Sequence, residues 1–242
     1  MKITIEVLYP EYNNLYGDRG NLLYLERKLR DAGAEVERIE TGLYDEPAFV
    51  TKKVDFLYIG PCTERQQEKE IEQLRPYREA LASRMKSDAL TLATGNAIEL
   101  FETYILRSDQ SRVDALDLIP MHAERFLRLR YNELCLGKYD DLQIVGFKNQ
   151  LSHSYGDNPH PFLTMTVGTG INPAVQEEGY HMAGFFATYL IGPLLPLNPP
   201  FAERLLCRLL PGYTDHPLPF EREAYVKRVA EFCDPEVNKQ LH

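Results

Sequence analysis

Roughly the first hundred residues alternate short apolar runs with amphipathic segments, and this alternation constrains the fold more than any other feature of the chain. Strand-like apolar runs occupy residues 3–8, 34–39, 54–59 and 89–93. Helical patterns occupy residues 21–32, 64–85 and 95–103. Strands that alternate with helices favour parallel pairing through crossover connections, so we predict a doubly wound α/β fold. Ligands of such folds bind at the carboxyl ends of the strands.

The second half of the chain has a different pattern. Short runs of mixed polarity at residues 125–136, 143–148 and 162–167 are separated by turn-rich segments, and we interpret them as antiparallel strands that extend the sheet. A further strand is predicted at 185–190, with helices at 200–210 and 221–233. No linker separates the two halves, so we expect residues 1–242 to form a single domain.

Charge and composition exclude several functional classes. A formal net charge of -9 argues against a nucleic-acid partner, which needs clustered Lys and Arg. The four cysteines are widely spaced, which favours neither a disulfide framework nor a metal site, and no cofactor motif is found. The first residues alternate like a strand, and the longest apolar run, 183–197, is broken by Gly and Pro. We therefore predict no membrane segment and a cytoplasmic location.

Three sequence blocks, in the same order as in a known family, suggest what the fold is. They are L-Y-P at 8–10 followed by N-L-Y-G-D-R-G-N at 14–21, V-G-F-K-N-Q at 145–150, and T-Y-L-I-G-P-L-L-P-L-N-P at 188–199. The chain thereby resembles the class I glutamine amidotransferases of the cobyric-acid-synthase-like branch, which includes the glutaminase subunits of lipid II isoglutaminyl synthases. The resemblance implies a flavodoxin-like, mostly parallel central sheet flanked by helices.

The same resemblance implies a site whose chemistry is degraded. The family uses a cysteine on a sharp turn after a strand, a histidine base and backbone N–H donors for the oxyanion. Its C-G-G-Y-Q-L-L turn matches residues 94–100, so Thr94 stands for the cysteine while Gly95 keeps the tight turn. The family histidine in T-Y-L-H-G-P falls on Ile191, and Ile98 replaces a glutamine. Pro61, which has no N–H, stands in the oxyanion loop.

The residues that the resemblance assigns to the oxyanion loop and pocket are Gly60, Pro61, Cys62, Gly95, Asn96, Arg125, Asn149 and Gln150. Cys62 is either a relocated nucleophile or a small buried residue. Arg125, predicted to open a strand, is either the family's site arginine or a surface charge. The remaining candidate bases are His153, His160 and His181, with His181 expected at the far end of the last strand. Leu194, Leu195 and Leu197 form a stripe that is either core or a docking patch.

These assignments predict a catalytically degenerate glutaminase homologue that does not hydrolyse glutamine alone. A threonine without a neighbouring base is a weak nucleophile, and isoleucine cannot accept a proton. The resemblance implies a Mur-ligase-like, ATP-dependent synthase as partner, for which the chain would be a non-catalytic or regulatory subunit. The alternatives are an active amidotransferase or amidase that uses Cys62 or Thr94, and a sensor that binds glutamine or another small molecule in the pocket.

Overall fold

The computed structural model describes residues 1–126 and 130–239, with the side chains of residues 238 and 239 left aside. The strands are β1 Lys2–Leu8, β2 Glu35–Thr41, β3 Phe56–Ile59, β4 Leu90–Thr94, β5 Tyr104–Leu106, β6 Arg112–Asp114, β7 Met121–Arg125, β8 Tyr131–Tyr139, β9 Leu142–Gln150, β10 Ser152–Gly156, β11 Leu163–Val167, β12 Glu177–Glu178, β13 Tyr180–Met182 and β14 Phe185–Thr188. The α-helices are α1 Arg19–Asp31, α2 Ala48–Thr51, α3 Glu64–Leu74, α4 Arg78–Met85, α5 Leu194–Leu197, α6 Pro199–Leu209, α7 Glu221–Cys233 and α8 Pro235–Lys239.

A mostly parallel central sheet confirms the predicted fold class. Its strand order is β13-β14-β4-β3-β1-β2, and β13 alone runs antiparallel to its neighbour in this described sheet. Helices α1 and α6 cover one face with Leu25 and Leu205, and α3 and α4 cover the other with Ile71 and Leu81. The chain changes direction between β1 and β3, because β2 lies on the opposite side of β1. This is the topological switch point, where open α/β sheets bind ligands.

We had expected the antiparallel strands of the second half to extend the central sheet, but most of them do not. They form two further sheets, with the orders β10-β7-β5-β6 and β12-β11-β8-β9. The hairpin of β8 and β9 pairs over nine residues on each strand, so these strands satisfy their backbone groups locally. Arg125 ends β7 instead of opening a strand. The predicted strand at 125–136 includes residues 127–129, which lie outside the described part of the chain.

Two predicted helices also differ from the structure. The long helical stretch at 64–85 is interrupted by a 3₁₀ turn at Arg75–Tyr77, because Pro76 has no N–H for an α-helical hydrogen bond. Residues Gly95–Phe101 form a 3₁₀-helix and not an α-helix. The apolar stripe belongs mainly to the core, since Leu194 and Leu195 are completely buried. No helix among the described residues is both long enough and apolar enough to cross a membrane.

Side-chain hydrogen bonds join the three sequence blocks to one another. Asn21 accepts a hydrogen bond from the backbone N–H of Leu195 at 2.7 Å. Asn198 accepts from the N–H of Val145 at 2.8 Å and donates to its carbonyl at 2.7 Å, as a neighbouring strand would. Ile191 forms an antiparallel bridge with Phe147 on the same edge of β9. Residues from the last block therefore cover the outer edge of this strand.

A buried lysine connects α1 to the first residue of α7 and to the segment before it. The Lys28 side chain is 2% exposed, and its Nζ lies 2.9 Å from Asp215 Oδ1 and 2.7 Å from Glu221 Oε1. It also donates to the carbonyl of His216 at 2.9 Å. Three acceptors satisfy the three protons of the ammonium group, which is the condition under which a buried charge is tolerated.

Candidate functional site

Thr94, the predicted nucleophile position, is the last residue of β4 and comes immediately before the turn. Thr94 ends the strand as predicted, but its backbone is extended, with φ -120 and ψ 152. Its hydroxyl is completely buried and lies 2.9 Å from the Tyr58 hydroxyl, which in turn accepts from Asn21 at 2.9 Å. The left-handed conformation falls on Gly95, with φ +61. The Thr94 hydroxyl is thus part of a buried hydrogen-bond chain that faces α1.

Gly95 occupies the space between the predicted oxyanion loop and the predicted base position. A Cβ added to Gly95 would lie 2.6 Å from the Cβ of Pro61 and 3.2 Å from Cγ2 of Ile191. Real Cβ atoms essentially never approach another carbon to 2.6 Å, so a side chain at this turn has no room. Gly95, and not Thr94, is the residue of the turn that lies between Pro61 and Ile191.

A cleft of about 270 Å³, here called the first cleft, lies beside this turn. Its walls include the predicted pocket residues Pro61, Cys62, Asn96, Asn149 and Gln150, together with Leu15, Tyr16, Thr63, Glu64, Arg130, Leu151 and Ser152, which the sequence did not single out. Thr94, Ile191, Gly60, Gly95 and Arg125 are not among the lining residues. Five of the eight residues predicted for the oxyanion loop and pocket thus line the first cleft.

The loop after β3 is held to the 3₁₀-helix by side-chain hydrogen bonds. Asn96 accepts from the N–H of Cys62 at 3.1 Å and donates to its carbonyl at 2.9 Å. Gln67 donates to the carbonyl of Asn96 at 2.6 Å. The N–H of Cys62 is consequently already bonded, which removes a second backbone donor from the loop that Pro61 had already depleted.

Arg125 supports the cleft without lining it. Its guanidinium donates to Gln67 Oε1 at 2.6 Å and to Glu68 Oε1 at 2.6 Å, and it is only 8% exposed. The interpretation as a surface charge is therefore wrong. Arg125 reaches the cleft wall through Gln67, which bonds the carbonyl of Asn96, and through a hydrogen bond to the carbonyl of Glu64 at 3.4 Å.

The Cys62 thiol is poorly suited to nucleophilic attack. It is buried, and burial raises the pKa of the thiol, an effect that the Glu70 and Glu99 carboxylates increase. The Glu70 carboxyl group itself accepts a hydrogen bond from Asn13 at 3.2 Å. A reactive cysteine needs a lowered pKa and cationic neighbours, and the surroundings of Cys62 are the opposite.

The buried carboxyl group of Glu70 should make the free energy of unfolding depend on pH. Burial raises the pKa of Glu70 from 4.5 to about 7, so the native state keeps a proton that the unfolded chain has released. The free energy of unfolding should therefore fall as pH rises from 4.5 to about 7. The loss should amount to about 3 kcal/mol.

A Glu70→Gln variant should remove the part of the slope that Glu70 contributes, because glutamine carries no titrating proton. Asp18, whose pKa burial raises to about 6, contributes to the slope separately. Denaturant titrations of both proteins between pH 4.5 and pH 8 measure it. Glu79→Gln on the exposed part of α4 is the control and should leave the slope unchanged. Parallel slopes for the wild type and Glu70→Gln would contradict this assignment.

The three candidate histidines are engaged elsewhere. His153 accepts from Gln150 Nε2 at 2.9 Å and packs against the rings of Phe126 and Tyr131, and burial lowers its pKa to about 4. The ring of His181 stacks on that of Phe186, with 4.0 Å between their centroids, and its Nε2 shares a hydrogen bond with the Tyr139 hydroxyl. His181 lies beside the first half of β14, the far end that was expected for it. The ring of His160 contacts Tyr180.

A buried carboxylate beneath the first cleft was missed by the sequence reasoning. Glu99 is completely buried and accepts hydrogen bonds from Gln67 at 3.0 Å, from Tyr189 at 3.1 Å and from Ser152. Burial raises the pKa of Glu99. A signal was present, because Glu99 stands where the family block has leucine. Within residues 1–126 and 130–239, no group of three or more His, Cys, Asp or Glu side chains is arranged to hold a metal ion.

Comparisons with known proteins identify the relatives of the chain. It is 25% identical over 212 residues to the GatD subunit of lipid II isoglutaminyl synthase (glutamine-hydrolyzing) from Streptococcus pneumoniae (strain ATCC BAA-255 / R6), a match that covers 86% of this chain and 81% of the relative. The corresponding subunit from Staphylococcus aureus (strain N315) is 27% identical over 212 residues, a match that covers 85% of this chain and 83% of the relative. The chain is a homologue of the GatD subunits.

The fold agrees with this relationship. A crystal structure of a glutamine amidotransferase superposes with a TM-score of 0.54 at 10% identity, covering 84% of this GatD homologue and 98% of that chain. Identity at this level shows the fold alone, which is the class I glutamine amidotransferase-like α/β fold. No family model matches the chain.

Proposed function

We propose that this GatD homologue is a glutaminase-like subunit that does not hydrolyse glutamine and that works as a scaffold or regulator of an ATP-dependent amide ligase. The observation that carries the proposal is the turn after β4. There the hydroxyl of Thr94 is bonded to Tyr58, and the space beside Gly95 is filled by Pro61 and Ile191. Without a nucleophile and a base in contact, no acyl intermediate can form or break down.

The partner proposal rests on the relatives. Both curated relatives are subunits of a lipid II isoglutaminyl synthase. We propose a Mur-ligase-like synthase as the partner, which would amidate a peptidoglycan precursor with free ammonia or with ammonia from another source. Copurification of the full chain with such a synthase from the source cell is the direct test, and repeated recovery of the chain alone would count against the partnership.

Restoring the two family residues should not restore hydrolysis. In Thr94→Cys/Ile191→His, the new thiol would take the place of the Thr94 hydroxyl, which faces Tyr58 and not residue 191. We expect no release of ammonia from glutamine above the blank, for the variant or the wild type, with or without the candidate synthase. The assay with synthase matters because association can complete an active site.

Two other functions remain as alternatives, each with an observation in its favour. A glutamine or small-molecule sensor is favoured by the open first cleft, where Gln150 Oε1 is buried and has no partner among the described residues. An enzyme that uses Cys62 is favoured only by the position of this residue in the cleft wall. A glutamine-mimicking electrophile separates them. A covalent adduct that is lost in Cys62→Ser would support the enzyme, whereas thermal stabilisation without an adduct would support the sensor.

A further inference from the structure

Two carboxyl groups are buried close together beneath the first cleft. Glu99 belongs to the 3₁₀-helix Gly95–Phe101, and Glu102 is the residue that follows this helix. The two residues are 1% and 0% exposed. Burial raises the pKa of Glu102 well above 4.5, and the nearby carboxylate of Glu99 raises it further. Two negative charges would repel each other in the protein interior, so we expect the pair to keep at least one proton.

A continuous chain of hydroxyl groups connects the two carboxyl groups. The Tyr189 hydroxyl lies 3.1 Å from Glu99 Oε1 and 2.7 Å from Ser154 Oγ. Ser154 Oγ is also hydrogen-bonded to Glu102 Oε1, and at the other end of the chain Ser152 Oγ is hydrogen-bonded to Glu99 Oε1. Both serines belong to β10. The hydroxyl chain therefore joins β10 to the segment of the 3₁₀-helix.

The number of protons in this chain requires one carboxyl group to be protonated. Four contacts link five oxygen atoms, and each contact needs one proton. The hydroxyl groups of Ser152, Ser154 and Tyr189 supply three protons. An ionised carboxylate supplies none, because it only accepts hydrogen bonds, so the fourth proton belongs to Glu99 or Glu102. This count rests on the contacts alone.

The surroundings of the two carboxyl groups place the proton on Glu102 and the negative charge on Glu99. Gln67, which is uncharged, donates to Glu99 Oε2 at 3.0 Å, so both oxygens of Glu99 accept hydrogen bonds. Burial raises the pKa of Glu99, but the hydrogen bond from Ser152 and the charge of Arg125 oppose that rise. Glu102 Oε2 has no hydrogen-bond partner among the described residues. A neutral carboxyl group tolerates such an oxygen better than a carboxylate does.

The other ionisable groups that face the pair keep their ordinary protonation near neutral pH. Arg125 approaches from β7, Tyr189 follows β14, and Cys62 lies in the loop after β3. Burial raises the pKa of the Tyr189 hydroxyl and of the Cys62 thiol, and the carboxylate of Glu99 raises both further. Both groups therefore stay protonated, and arginine stays charged. The proton that can be lost is the one that Glu99 and Glu102 share.

The hydroxyl chain supports the wall of the first cleft. Ser152 lines the cleft, and Gln67, which bonds Glu99, also bonds the carbonyl of Asn96, another lining residue. Loss of the shared proton would put a second charge on the buried pair and would leave one contact of the chain without a proton. Both effects weaken the attachment of β10 to the 3₁₀-helix.

We propose that one proton, shared by Glu99 and Glu102 through Tyr189 and Ser154, holds β10 to the 3₁₀-helix and makes the wall of the first cleft sensitive to pH. The stabilisation is complete below pH 4.5, where the unfolded chain is protonated too, and it is lost as pH rises through the folded-state pKa of Glu102. The inference goes beyond the proposed function, because it holds whether or not the chain serves a ligase. The isolated chain suffices to test it.

Infrared spectroscopy of the full chain at about pH 7 tests where the proton lies. The carbonyl stretch of a protonated carboxyl group is separate from the bands of carboxylates. The spectrum of the wild type minus that of Glu102→Gln should show the loss of one protonated carboxyl group. Glu79→Gln, on the exposed part of α4, is the control and should show the loss of a carboxylate. A carboxylate signal for Glu102→Gln as well would overturn the assignment.

The same substitution at the two positions should have different effects on unfolding at about pH 7. The amide in Glu102→Gln donates to Ser154 as the protonated acid does, so this variant should unfold no more readily than the wild type. Glu99→Gln should raise the unfolding equilibrium constant about ten- to a hundred-fold, because it either moves the charge to Glu102 or breaks a buried hydrogen bond. Equal losses in the two variants would contradict the shared proton.

Hydrogen exchange tests whether the proton holds the cleft wall. The ratio of the exchange rates of the β10 amides in the wild type to those in Glu102→Gln, taken at the same pH, cancels the base catalysis of exchange. We expect this ratio to rise several-fold between about pH 6 and about pH 9, because the variant has no proton to lose at position 102. The amides of β2, at the opposite side of the central sheet, are the control. A constant ratio for β10 would show that the wall does not depend on this proton.

Discussion

Gly95→Ala will lower the free energy of unfolding by about 3 kcal/mol, which corresponds to roughly 10 °C in the melting temperature of a chain of this size. Two costs add. An alanine at φ +61 takes up a left-handed conformation that disfavours a Cβ, and that Cβ meets the Cβ of Pro61 at 2.6 Å. Denaturant unfolding of the wild type and the variant measures the sum.

A matched glycine separates the two costs. Gly33, at the end of α1, has φ +80, and an added Cβ there would meet no atom within 4 Å. Gly33→Ala should therefore carry only the conformational cost of about 1–2 kcal/mol. The excess at Gly95 should disappear when Pro61 is changed to glycine and persist when it is changed to alanine, which keeps the Cβ. Equal losses at Gly33 and Gly95 would show that the turn has room for a side chain.

Lys28→Met will destabilise the chain by about 3–5 kcal/mol. The substitution keeps the length and apolar surface of the side chain but leaves the carboxylates of Asp215 and Glu221 without their buried partner. Glu221 Oε2 still accepts from Tyr24 at 3.1 Å, and Asp215 still pairs with Arg222 at 2.7 Å. Tyr213 still donates to Asp215 Oδ1 at 3.1 Å, but Glu221 Oε1 loses its partner. The loss of the buried positive charge that faced both carboxylates accounts for most of the cost.

The neighbouring residue is the control for this prediction. Arg27 pairs with Asp31 at 2.6 Å on the exposed side of the same helix, with 64% of its side chain exposed. Arg27→Met should cost less than about 1 kcal/mol, as exposed ion pairs contribute little. Combining Lys28→Met with Asp215→Asn and Glu221→Gln should recover part of the loss, because the carboxylates are then neutral. A loss for Lys28→Met no larger than that for Arg27→Met would contradict the buried ion pair.

The central sheet could be predicted from the sequence because each of its strands and helices has a recognisable local pattern. Apolar runs and helical periodicity are readable within a single element, and the prediction that ligands meet the carboxyl ends of the strands follows from parallel pairing alone. The antiparallel strands were located but assigned to the wrong sheet. Their mixed polarity carries no information about which strand lies beside them, and only the nine-residue pairing of β8 with β9 in the structure reveals a separate sheet.

The site shows the same limit at the scale of single residues. A match of sequence blocks placed Thr94 at the end of β4, but it did not reveal that the left-handed conformation falls on the next residue. The pattern also placed Arg125 near the site, although only the fold shows that Glu68 and Gln67 bind its guanidinium.

The hydrogen bonds of Asn21 and Asn198 have a consequence for how relatives of this chain should be sought. The amide of Asn21 joins the first block to the third, and the amide of Asn198 joins the third block to the middle one. The residues that make the resemblance visible therefore hold the fold together. None of these hydrogen bonds involves a reactive thiol. A sequence search based on the three blocks will find hydrolases and non-hydrolases together. The residues of the turn after β4 are what distinguishes the two groups.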